Sequence, residues 1–311
     1  MADEPYAVEV NGLVKTFPEV RAVDGLSFRV GKGEIFGLVG PDGAGKTTTM
    51  RVLAGVMPPD QGSAIVCGCD VVRDPEAVKR HISYMPQRFG LYEDLTVVEN
   101  IRFYADLFGV SRSERLSAAA RLLAACGMSE FADRLAGNLS GGMKQKLGLV
   151  CALIHTPEVL LLDEPTNGVD PVSRREFWAM LYGLVGQGVT IVNSTAYLDE
   201  AERCHRVALM HRGRLLFCDT PARLKERLPG DVVAVVSPAA ARLREALAGA
   251  AGITSVLLIG DAVHLFVDDA VRRIPEVIRI LEAKGLPYQE VVRITPTIED
   301  LFVEAVTGQA A

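Results

Sequence analysis

The stretch EIFGLVGPDGAGKTTTMRVLAGVM, residues 34–57, constrains this chain more than any other. A mostly apolar run meets a glycine-rich loop, and apolar residues at helical spacing follow, which is a strand–loop–helix unit. Gly40 to Thr47 satisfies G-x-x-x-x-G-K-S/T, and it lies between the strand and the helix that this motif requires. In the loop Gly40, Asp42, Gly43, Ala44 and Gly45, the glycines let backbone N–H groups turn inward around a phosphate, where a Cβ would block the approach. The helix that follows adds its positive N-terminal end. Lys46 is placed to reach the β- and γ-phosphates, the Thr47 hydroxyl to hold Mg²⁺, and Thr48 to add a phosphate contact. The expectation is an α/β fold with a P-loop NTPase core and a site for a nucleoside triphosphate.

VLLLDE, residues 159–164, supplies the other half of such a site. An apolar strand ending in two carboxylates holds Asp163 against the Mg²⁺ shell. Glu164 is left beside the γ-phosphate, where it can act as general base toward water. Gln87, after the strand ISYMP, is a polar tip able to touch Mg²⁺ or the water. Asn138-Leu-Ser140-Gly141-Gly142-Met143-Lys144-Gln145 opens an apolar helix and reads as a second phosphate-facing helix N-terminus. One chain cannot easily bring both grips to one nucleotide, so this pattern calls for a second copy.

Around these motifs the chain alternates strands and helices. AVEVNGLVKTF and VDGLSFRV read as antiparallel strands, SAIVCGCDV as one short strand, and 88–156 as a helical insertion carrying ENIRFYADLFGV and SERLSAAARLLAACGM. PEVLLLDEP and VTIVNS read as strands, and VALMHRGRLLFCD as a closing hairpin. Pro229-Gly230 marks the boundary between a domain of residues 1–229 and one of 230–311. The second has the strand–helix–strand–strand–helix–strand order of a small ferredoxin-like α+β domain, ending in the helix TIEDLFVEAV. No chemistry is expected there, and His264 reads as a core or surface residue.

Composition narrows the function classes. A net charge of −6 and a pI near 5.5 provide no global attraction for nucleic acid. No apolar run reaches the ~18–20 residues of a membrane helix, and the first residues lack a secretory h-region. Six scattered cysteines form no CxxC pair, so they read as reduced apolar residues.

Taken in order, the loop GPDGAGKTT, YMPQ, LSGGMKQ, VLLLDEP and Asn167-Gly168-Val169-Asp170 resemble the nucleotide-binding domain of ABC transporters, of the type that serves multidrug or ABC-2-like exporters. The likeness spans about residues 6–229. It implies two such domains head to tail with two ATP molecules and Mg²⁺ between them. One domain would grip ATP through Lys46, Thr47, Asp163 and Glu164. The other would offer Ser140, Gly141, Gly142 and Gln145, with Asp170 at the same junction. Phe17 falls where the family stacks an aromatic on adenine, and the groove around Gln87 is where a separate membrane-spanning subunit is expected to dock. The protein would then be cytoplasmic and peripheral on the inner face of the cell membrane.

The resemblance has one gap. The family ends the strand that contains VTIVNS with a histidine in a pattern like T-H-Y-x-x-E-A-E, and here the residues are Thr195-Ala196-Tyr197-Leu198-Asp199-Glu200-Ala201-Glu202. An alanine methyl neither donates nor accepts a hydrogen bond. Loss of a catalytic polar group typically costs ~10²–10⁴-fold in rate, about 3–5 kcal/mol. Of the nearby polar residues only Ser194 shares the face of Ala196. The expectation is an ATP-binding chain whose own hydrolysis is impaired, paired with a competent partner domain. A heterodimer is favoured and a homodimer is the alternative. Two other readings fit the motifs: a soluble ABC-type switch acting on ribosome or DNA, and a regulatory nucleotide sensor that does not hydrolyse.

Overall fold

The computed structural model describes residues 6–308 apart from 89, 229 and 261. The acidic N-terminal tip, residues 1–5, and Pro229 therefore lie outside the described residues. The chain divides into two compact units, one ending at Cys218 and the other beginning at Asp219.

The first unit runs β1 (Val8–Phe17), β2 (Val20–Val30), β3 (Ile35–Val39), α1 (Lys46–Leu53), β4 (Gln61–Val66), β5 (Cys69–Asp70), α2 (Pro75–His81) and β6 (Ile82–Met85). It continues α3 (Val97–Leu107), α4 (Arg112–Ala125), α5 (Gly141–Leu153), β7 (Val159–Asp163), α6 (Pro171–Val185), β8 (Thr190–Thr195), α7 (Leu198–Ala201), β9 (Arg206–His211) and β10 (Arg214–Asp219). Two sheets result. β2-β1-β4-β5 is antiparallel, and β10-β9-β3-β8-β7-β6 is parallel from β9 through β6. Every residue of β3, β7 and β8 is buried. Continuous burial explains the apolar runs of β3 and β7, since a parallel sheet is covered on both faces, while β8 buries Asn193, Ser194 and Thr195 as well.

SAIVCGCDV departs from its reading as one strand. Cys67 and Gly68 take left-handed φ values of 49° and 77°, and the chain folds back so that Val66 pairs with Cys69 and Ile65 with Asp70. The helical insertion holds α3, α4 and α5. Capping boxes open the first two, Thr96 with Glu99 and Ser111 with Glu114.

The second unit comprises α8 (Pro221–Lys225), β11 (Asp231–Val236), α9 (Ala240–Leu247), β12 (Ile253–Ile259), β13 (Ala262–Val267), α10 (Ala270–Ala283), β14 (Glu290–Ile294) and α11 (Ile298–Gly308). Its antiparallel sheet has the order β12-β13-β11-β14, the ferredoxin-like arrangement. Where the sequence places the division at 229/230, the compact units meet at 218/219, because α8 packs on α11. Val233, Val235, Val263 and Leu265 face α9 and α10 through Leu243, Leu247, Val277 and Leu281.

Alternation turns His264 to the other face. There its Nδ1 lies 2.8 Å from Oδ1 of the fully buried Asp300 on α11. Asp300 also closes the TIED turn, accepting from Thr297 N and Oγ1 at 2.8 Å each and donating its own N–H to Thr297 Oγ1 at 3.2 Å. Burial pushes the Asp300 pKa upward, but the His264 and Thr297 hydrogen bonds outweigh it and hold the carboxyl below its ordinary value. Removing this acceptor strands His264 and uncaps α11. Asp300→Ala is therefore expected to destabilise the second unit by about 3 kcal/mol, read by chemical denaturation. Below about pH 4 the unfolded carboxylate takes up its proton before the folded one. The natural chain should then lose stability more steeply with acid than Asp300→Asn.

Candidate functional site

Parallel register gathers the site at the C-terminal ends of four strands. Val39 lies beside Thr195, Asp163 beside Ser194, and Tyr84 beside Leu161. The loop after β3 is tightly seated. Gly40 N–H donates to Thr195 O at 3.2 Å, and a Cβ on Gly40 would stand 2.2 Å from Met210 O. Gly45 has φ of 99°, and a Cβ there would stand 2.3 Å from Ala22 O. Glycine is therefore demanded at both positions.

Lys46, 4% exposed, places Nζ 2.8 Å from Gly40 O, 3.1 Å from Pro41 O and 3.0 Å from Glu164 Oε1. A cavity of 430 Å³ opens over the loop, lined by Asp42, Gly43, Ala44, Gly45, Lys46, Thr47, Thr48, Gln87 and Glu164, with Val20 and Ala22 from the β-hairpin.

Asp163 is 1% exposed and accepts three hydroxyls: Thr47 Oγ1 at 3.1 Å and Ser194 Oγ at 2.6 Å on Oδ1, and Tyr84 OH at 3.2 Å on Oδ2. Burial, then the charge of Asp163, pushes the Tyr84 phenol up to about 12, so it remains a donor. Glu164 follows in the left-handed region with φ of 51°, an uncommon conformation for a residue with a side chain. Its N–H donates to Ser194 O at 3.0 Å and Oγ at 3.1 Å, which holds the turn. Its Oε2 accepts from Gln87 Nε2 at 3.0 Å and Asn167 Nδ2 at 3.4 Å.

Ala196 borders a second cavity, of 170 Å³, lined by Asp42, Glu164, Thr166, Asn167, Thr195 and Tyr197. Asn193 is fully buried within β8, Ser194 is engaged with Asp163 and Glu164, and Thr195 Oγ1 accepts the Tyr197 N–H at 3.0 Å. Sharing a face with Ala196 does not free the Ser194 hydroxyl to take a histidine's place. Tyr197 lies under the Arg174 guanidinium, 4.3 Å from ring centroid to Cζ, with its hydroxyl 3.5 Å from Asn167 Oδ1.

The remaining expected residues lie elsewhere. Phe17 ends β1 opposite Val20, and the larger cavity is lined by Val20 and Ala22 rather than by Phe17. Ser140 caps α5 by accepting from Met143 N–H at 3.3 Å, Gly141 is exposed, and Gln145 is half-buried. A Cβ on Gly142 would come 2.5 Å from Ser173 Oγ, so α5 and the start of α6 touch there. Asp170 caps α6 through Val172 and Ser173 N–H at 3.0 Å each, and its hydrogen bonds with Ser173 lower its pKa. None of residues 138–145 lines either cavity. The sequence names Asn167 and Tyr197 only as members of motifs, without the contacts they make here, and gives Tyr84 no role. Only the strand alternation in ISYMP carried a signal for Tyr84, and it needed the neighbour of β6 to be known.

Residues 23–167 match the family described as ABC transporter. Over 306 residues the chain is 46% identical to the probable multidrug ABC transporter ATP-binding protein YbhF of Escherichia coli (strain K12), covering 97% of this chain and 52% of that protein. The chain thus spans about half the length of that relative. It is 38% identical to the Nod factor export ATP-binding protein I of Burkholderia thailandensis, over 97% of each chain. The chain belongs to the ABC transporter ATP-binding family. A solved ATP-binding subunit of an ABC transporter superposes with a TM-score of 0.65 at 30% identity, covering 71% of this chain and 92% of that one.

The ABC fold thus accounts for the phosphate loop, and the residues present fit ATP with Mg²⁺. Gly40 and Gly45 seat the loop against the Met210 and Ala22 carbonyls, Lys46 presents the cation at the cavity, and Thr47 and Asp163 offer oxygen donors of the kind Mg²⁺ takes. Lys46→Ala is expected to weaken ATP binding by about 10–100-fold, read by titration with a fluorescent ATP analogue.

Proposed function

We propose that this chain is the ATP-binding subunit of an ABC exporter, coupling ATP binding and hydrolysis to movement of a separate membrane-spanning subunit. The observation that carries this reading is the convergence of Lys46, Thr47, Asp163 and Glu164 around one 430 Å³ cavity. The names of the relatives, a multidrug ATP-binding protein and an export ATP-binding protein, support the direction of transport.

In this reading the loop N–H groups and Lys46 hold the phosphates, and Thr47 and Asp163 hold Mg²⁺. Bound Mg²⁺ supplies charge neutralisation at the phosphoryl oxygens. Glu164 accepts the proton of the attacking water, with Gln87 and Asn167 orienting its carboxylate. Phe17 serves the adenine side together with Val20. Ser140, Gly141, Gly142 and Gln145, with Asp170 beside them, complete the site of a second ABC domain, since they border neither cavity of their own chain.

Among the described residues no helix is long and apolar enough to cross a membrane, so docking to a membrane subunit needs a surface. A groove of 240 Å³ supports one. It is lined by Val56, Ile82, Tyr84, Tyr104, Leu107 and Phe108 among others, with Val56 63% and Leu107 66% exposed. The chain would sit on the cytoplasmic face of the membrane through that contact.

Ala196 leaves 170 Å³ beside Glu164 with no imidazole to reach the reacting phosphate, so hydrolysis at this chain's own site is slow. A pair with a competent, different ABC domain is favoured over a homodimer. Steady-state ATPase rate against protein concentration tests this, with Lys46→Ala as blank. Ala196→His is expected to raise the rate by ~10²–10⁴-fold, increasingly so as concentration drives pairing. A natural chain that matches Ala196→His would overturn the impaired site while leaving ATP binding intact. Co-sedimentation with ribosomes instead of capture by a membrane subunit would overturn the exporter.

A further inference from the structure

Two hydroxyls behind the carboxylate pair, one fully buried on Ser194 and one half-buried on Tyr84, hold it in ways that the motifs do not describe. Ser194 Oγ is in contact with both acidic residues at once. It donates its single proton to Asp163 Oδ1 at 2.6 Å and accepts the Glu164 N–H at 3.1 Å. Ser194 is fully buried on β8, in direct register with Asp163 on β7, so the contact is set by strand pairing rather than by a mobile side chain. Tyr84 reaches the other oxygen, Oδ2, at 3.2 Å from β6 on the opposite side. Its hydroxyl donates to Asp163.

We propose that Ser194 and Tyr84 are positioning residues for the reaction: together they fix the plane of the Asp163 carboxylate for the metal, and Ser194 alone also pins the left-handed turn that aims Glu164. The inference rests on the reading of this site as one for ATP and Mg²⁺. Partners that orient a metal ligand typically matter by 10–100-fold in metal affinity or activity. Here they come from the strands on either side of β7. With Ala196 at its tip, β8 then acts on the reaction chiefly through Ser194. The Tyr84 ring also lines the 240 Å³ groove, so the grip on the metal and that surface share one side chain.

The test measures Mn²⁺ binding by electron paramagnetic resonance in the presence of a non-hydrolysable ATP analogue, beside ATPase rate as a function of Mg²⁺ in the Ala196→His background. Ser194→Ala should raise the Mn²⁺ half-saturation by about tenfold and lower the rate even at saturating metal. Tyr84→Phe should raise the half-saturation similarly, and its rate defect should shrink as metal is added. Ser194→Thr, which keeps the hydroxyl, should restore most of both, and analogue binding without metal should stay within about twofold throughout. A melting temperature on each variant separates loss of fold from loss of grip. Ser194→Ala with natural Mn²⁺ affinity, or Ser194→Ala and Tyr84→Phe with the same dependence on metal, would overturn the proposal. Failure of the natural chain to bind the analogue at all would instead overturn the ATP site itself.

Discussion

A carboxylate with 1% of its surface exposed must be surrounded by donors, and Asp163 is where the two halves of the site meet. The hydroxyls of Thr47, Ser194 and Tyr84 come from the helix after the phosphate loop and from the strands on either side of β7. Three separate segments are thereby tied to one side chain. The arrangement depends on the parallel order β3-β8-β7-β6, because only that order places the tips of those strands side by side.

Glu164 inherits its position from the same constraint. A residue in the left-handed region is unfavourable unless its surroundings hold it, and the Ser194 carbonyl and hydroxyl both take its N–H. The carboxylate then turns toward Lys46, Gln87 and Asn167. A buried ion pair such as Lys46 with Glu164 contributes little net stability after desolvation. Its value lies in holding an ammonium and a carboxylate at one cavity wall.

The second unit repeats the principle. A buried acid, Asp300, joins a strand through His264 and a helix cap through Thr297. The His264 that looked idle in the sequence fastens α11 to the sheet face opposite α9 and α10. PTIEDLF is thus a capping segment as well as a helix, with Ile298 and Leu301 buried on the same element.

The local parts of this protein were legible in its sequence. Gly40 to Thr48, the helix that opens at Ser140, and the apolar runs of β3 and β7 depend on residues within a turn or two, where spacing alone dictates geometry. The strand order of the second unit was legible for the same reason, since its elements alternate in period. SAIVCGCDV was misread because Gly68 alone is also compatible with a strand, and a left-handed Cys67 beside it carries no composition signal. Tertiary structure alone decided the rest. That Ser194 faces Asp163, that Tyr84 lies a pleat behind Asp163, and that Ala196 opens onto Glu164 are facts of strand register between segments 31 to 79 residues apart. A one-residue slip would reverse every one of them, and nothing within any single segment records the neighbour's phase.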